Sequence, residues 1–185
     1  MQRKSFIKLL LPALGYMVMG NILSFVMAMS LAFFRGETLI MLMSVLFAAA
    51  IYLMMVSVPA YKNGQDEFTK LKNKTGNEAE AVPKYRWLSV GMILWGIMLI
   101  PSVVYLFGGI PQGVYLLLSG AVYPLSGFFM KVTEYDADGR PILMSLLNFA
   151  PFVFMGFYAL TVPACHIGFM LGLSDKLSKE NMMYK

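Results

Sequence analysis

The sequence predicts an all-α polytopic membrane protein: a bundle of four transmembrane helices plus a short partial or interfacial apolar segment, with five spans as the alternative. Four apolar runs, at about 9–34, 39–60, 87–107 and 149–173, carry that prediction. Each approaches or exceeds the ~20 residues that a helix rising 1.5 Å per residue needs to cross a hydrocarbon core of ~30 Å. No Asp, Glu, Lys or Arg interrupts any of them. With 58 % of 185 residues hydrophobic, little chain is left for anything but spans and loops. The one extended polar stretch, 61–86, is too short to bury a core of its own, since domains below about 40 residues generally need disulfides or metals. A single integral membrane domain, 1–185, is therefore expected.

The first run follows Gln2, Arg3 and Lys4, an arrangement that imitates a secretory signal. It continues well past the 7–15 residues of a signal core, and no A-x-A-like site follows before Arg35, so an uncleaved first span is expected. Lys4 and Lys8, one turn apart, set its start in the headgroup zone. Arg35-Gly36-Glu37 is so short a turn that spans one and two must form an antiparallel hairpin. Span two is expected to end at Val58-Pro59-Ala60, with a solvated basic loop over 61–86 in which 66–72 supplies a turn or two of surface helix. Span three opens with Tyr85 and Trp87, read as an interfacial aromatic pair, and contains Pro101.

The segment 114–130 is the ambiguous one, being short and interrupted by Gly120, Pro124 and Gly127. Charge arbitrates. If it does not cross, the amino terminus, the 61–86 loop and the carboxyl tail share a side, with twelve Lys and Arg inside and three outside; if it crosses, the split is eleven to four. Positive-inside asymmetry prefers the first arrangement, with a cytoplasmic amino terminus. Beyond it, Asp138-Gly139 signals a turn, and 142–148 is expected along the interface before the last span. Asn73-Lys74-Thr75 is a formal glycosylation sequon, discounted because the basic loop is expected in the cytoplasm.

Candidate chemistry is sparse. Asn21 is the only strongly polar side chain deep in the first run, and its amide must bond to another helix or line a small pore; helix–helix bonding is the simpler use. Ser24, Ala28 and Ala32 recur at i,i+4 and predict a close-packing face, with Ala48 to Ala50 as a similar patch on span two. His166, the only histidine, adjoins the only cysteine, Cys165. Neighbouring helical residues point about 100° apart, so the pair makes a poor nucleophile and base, and a packed histidine beside a buried thiol is expected. Seventeen methionines raise Cu(I) binding, but tight extramembrane M-x-x-M clusters are missing and adaptable packing is the better use. No catalytic, cofactor or metal site is predicted. The charge of +5 sits beside the spans, where it orients them and meets anionic lipid, and nucleic acid is not an expected partner.

The long first hairpin, the loop opening Tyr61-Lys62-Asn63-Gly64-Gln65-Asp66, Ile100-Pro101 in span three and the ending Gly168-Phe169-Met170-Leu171-Gly172 resemble small uncharacterised multi-pass membrane proteins of Gram-positive bacteria. That resemblance implies a cell-membrane location and no particular function. The expected role is a non-enzymatic accessory, scaffold or assembly subunit. It would work through helix–helix contacts, with a second copy or a membrane-protein partner, and through its basic loop. A small oligomeric transporter or channel, with Asn21 and His166 lining a path between protomers, is the alternative.

Overall fold

The computed structural model describes residues 6–31, 38–73, 85–135 and 141–183. It is a helical bundle with four stretches long and apolar enough to cross a membrane, Phe6–Leu31, Leu39–Thr69, Arg86–Leu106 and Ala150–Ser174. In chain order the elements are α1 (Phe6–Leu31), α2 (Thr38–Asn73), α3 (Arg86–Leu106), α4 (Gln112–Leu118), a 3-10 turn (Gly120–Val122), α5 (Tyr123–Ser126), β1 (Met130–Tyr135), β2 (Pro141–Leu146), α6 (Ala150–Tyr158) and α7 (Thr161–Met183). The turn at 35–37, the sequon beyond Asn73, Ala32 and Asp138-Gly139 lie outside the described residues.

Contacts divide the chain into two compact units. One comprises 1–19, 53–95 and 159–185; the other comprises 20–52 and 96–158.

In the first unit the start of α1, the latter part of α2, the start of α3 and α7 come together. Here α2 departs from expectation: it does not stop at Pro59 but continues as helix to Asn73. Proline removes one backbone bond, a loss that surrounding contacts offset when the next turn is packed. That turn is packed. Ala60, Asn63 and Gly64 are buried, and the indole N–H of Trp87 donates to Asn63 Oδ1 at 2.9 Å. Trp87 is thus packed into the core of this unit, while Tyr85 is exposed. A tight seam joins α2 to α7. A Cβ on Gly168 would lie 2.7 Å from Ser57 O, one on Gly172 would collide with Tyr61 O, and one on Gly64 with Phe169 O. This is the small-xxx-small approach of backbones that membrane helices use where apolar burial alone gives no drive.

In the second unit the ambiguous segment resolves into α4, the 3-10 turn and α5, none long enough to span. It begins after the end of α3 and returns to α6 within the same unit, consistent with four spans and one partial segment. A glycine stop precedes it. Gly108 has φ +73°, and Gly109 N–H donates to Val104 O while Gly108 N–H donates to Tyr105 O, both at 2.9 Å. Those paired bonds close α3 in a Schellman arrangement. After α5 comes a second departure, for β1 and β2 pair as an antiparallel hairpin where a loop and an interfacial stretch were expected. Alternation explains it: Met130 and Val132 pair with Leu146 and Met144 on one face, while Lys131 pairs with Ser145 on the other. Gln112 secures the hairpin, its Oε1 accepting from Leu146 N–H at 2.9 Å and its Nε2 donating to Met144 O at 3.3 Å. The last apolar run is also interrupted at Ala159–Leu160, because Pro163 has no N–H and its ring crowds the carbonyl four residues earlier.

Candidate functional site

In the second unit the Asn21 side chain meets three partners. Its Oδ1 accepts two hydrogen bonds, from Tyr158 Oη at 3.0 Å and from Ala121 N–H at 3.0 Å. Its Nδ2 points to Met98 Sδ at 3.5 Å. One amide on α1 thus ties together α3, α6 and the 3-10 turn. The geometry has a local cause. A 3-10 turn placed across the end of α4 leaves the Ala121 N–H free of α-helical partners, and Gly120 lets that turn lie on the α1 backbone, since a Cβ there would strike Asn21 O. Asn21 is 8 % exposed, and both acceptor positions of its Oδ1 are taken within the chain.

One turn on, Ser24 Oγ donates to Ala48 O at 2.8 Å, and both residues are fully buried. Ala28 is buried on the same face of α1. Of the three residues expected to form a small-residue face, Ser24 and Ala28 are buried within the chain and Ala32 lies outside the described residues. Ala28 also lines a mostly apolar cleft of about 280 Å³ with Met41, Ser44, Gly127, Val132 and Met144. Around the Asn21 node stands an aromatic shell. Tyr52 packs edge-on against Tyr158 at 5.4 Å between centroids, and Tyr105 stacks on Tyr115 at 4.5 Å. The Tyr115 hydroxyl shares a 3.1 Å hydrogen bond with that of Ser102. Buried tyrosines of this kind carry large apolar area and one polar handle that needs a partner.

His166 and Cys165 are not brought together. Cys165 is fully buried with its Sγ 4.0 Å from Val56 O, whereas the His166 ring stacks at 6.2 Å on the exposed Tyr85. The Nδ1 of His166 is buried without a hydrogen-bond partner. Asn21, Ser24 and Ala28 thus share one face of α1 in the second unit, and His166 belongs to the first.

The seam residues Gly168 and Gly172 carry the helix-packing role that was assigned only to α1 and α2. Their signal was present as G-x-x-x-G in an apolar run. Ala121 and Tyr158, the partners of Asn21, had no signal, because a backbone N–H released by a 3-10 turn leaves no pattern in side chains. Among the described residues no three His, Cys, Asp or Glu gather as a metal site. No protein-family model matches the chain, and neither a curated protein nor a solved structure does.

Proposed function

We propose that this chain is a non-enzymatic multi-pass protein of the cell membrane, an accessory, scaffold or assembly subunit that acts through contacts with lipid and with a membrane-protein partner or a second copy. One observation carries the reading: the strongest polar group on the spans, the Asn21 amide, is spent on the protein's own fold through three contacts. An intramembrane polar residue that serves transport or catalysis keeps donors or acceptors for its substrate. The outward faces support the same reading, since Ile22 and Val26 of α1, Leu42 and Leu46 of α2 and Phe152 of α6 are exposed and apolar. A cytoplasmic amino terminus belongs to this reading and is supported by the positive-inside asymmetry of the sequence, twelve Lys and Arg against three.

The test is purification in gentle detergent from the native membrane, with absolute mass by light scattering and identification of whatever co-elutes. A stoichiometric membrane partner, or a defined homo-oligomer without solute flux, is the expected result. A second reading, a small transporter or channel, draws on the broken segment from α4 to α5, because non-helical backbone at membrane depth often lines solute paths. Solute flux through liposomes reconstituted with the purified wild-type protein, absent from protein-free liposomes, would establish it in place of the first.

A further inference from the structure

We infer that Lys62 and Tyr16 form a site for the phosphate of an anionic phospholipid in the leaflet at the basic end of the bundle. The inference starts from depth. Lys62 lies 23 residues beyond Leu39, the start of the second span, which is about 34 Å along a helix and so just past a hydrocarbon core of ~30 Å. Helical side chains tilt toward the amino terminus of their helix, so this one leans back toward the lipid.

The ammonium is held there. It donates to Tyr16 Oη at 3.3 Å and stands 5.7 Å from the centre of the same ring. Both residues belong to the unit that contains the start of α1 and the latter part of α2. Counting donors then shows what is missing. An ammonium has three N–H groups and no acceptor, and a phenol that accepts one of them still has its own O–H to give. Among the described residues the contact seen for the Lys62 ammonium is with Tyr16, and no carboxylate is seen to pair with it. The pair therefore presents unspent donors and a net positive charge at headgroup level on an exposed side chain. A phosphodiester supplies what that arrangement lacks: several acceptor oxygens and a negative charge. A lipid is favoured over free phosphate because the site opens at the level where phosphodiesters are concentrated. The inference rests on the membrane placement of the chain and not on its role as an accessory subunit.

The experiment is native mass spectrometry of the purified protein exchanged into equal amounts of phosphatidylglycerol and phosphatidylcholine. Wild type is expected to retain phosphatidylglycerol about fivefold over phosphatidylcholine, the ratio that one interfacial lysine supplies. Lys62→Gln should bring that ratio close to one, Tyr16→Phe should lower it in part, and Lys62→Arg should keep it. Lys131→Gln, on the hairpin, should leave it unchanged. Lys62 and Lys131 are exposed and Tyr16→Phe keeps the ring, so core packing is retained in each variant, and circular dichroism checks that each is folded. Equal retention of the two lipids by wild type, or a preference that survives Lys62→Gln, would overturn the site. Displacement of the lipid by millimolar inorganic phosphate would reassign it to free phosphate.

Discussion

Asn21 shows how one side chain can hold four segments, and how little of that a sequence discloses. Its need for a partner was plain, since an amide against lipid wastes its hydrogen bonds. The identity of the partners was not, because one is a backbone N–H a hundred positions away that a 3-10 turn sets free. Asn21→Leu should leave the Tyr158 hydroxyl and that N–H without an acceptor in a site that excludes water. Each orphaned group costs about 1–3 kcal/mol in general, and membrane hydrogen bonds average nearer ~0.6 kcal/mol, so a loss of about 2 kcal/mol is expected. Ser24→Ala should cost under about 1 kcal/mol, because Ala48 O also belongs to the α2 ladder. Reversible unfolding in mixed micelles measures both, and an Asn21→Leu variant no weaker than Ser24→Ala would deny the amide its structural role. His166 is the contrasting residue. Its proximity to Cys165 in sequence suggested chemistry, and helical geometry alone was enough to discount it.

At the scale of elements, the spans were legible because a membrane helix must satisfy every backbone group within itself and show apolar residues to lipid. Boundaries were less legible wherever a tertiary contact outweighed a local rule. Pro59 and the polar residues after it read as a stop, yet α2 runs on because Asn63 meets Trp87 and Gly64 meets α7. The hairpin was missed for a related reason: six-residue strands with two irregular steps in their pairing show only a short alternation beside long apolar runs. The seam between α2 and α7 gives the sharpest test of an element. Gly172→Leu would drive a side chain into Tyr61 and separate the helices, and overpacking of this kind costs about 1–3 kcal/mol. Gly15→Leu offers the control, since a Cβ there meets nothing within 4 Å. Thermal unfolding in detergent should show a clear loss for the first and almost none for the second. Equal behaviour would mean that the two helices do not depend on close backbone approach.

For the whole molecule, the decisive question is which ends share a side of the membrane. Charge counting separated four spans from five by a single residue, eleven against twelve, which is a narrow margin for so large a consequence. The backbone argues more strongly. Between α3 and β1 the chain makes only a seven-residue helix, a 3-10 turn and a four-residue helix, and at 1.5–2 Å rise per residue no one of these crosses ~30 Å. Four crossings return the chain to the side on which it began. Single-cysteine variants test this on a Cys165→Ser background, which removes the one native thiol. Lys8→Cys and Lys185→Cys should react with a membrane-impermeant maleimide only after the cytoplasmic face is opened, and Lys131→Cys should react in intact cells. Labelling of Lys185→Cys in intact cells would instead make the broken segment a fifth crossing. It would also put the carboxyl tail outside and divide the basic segments between the two faces.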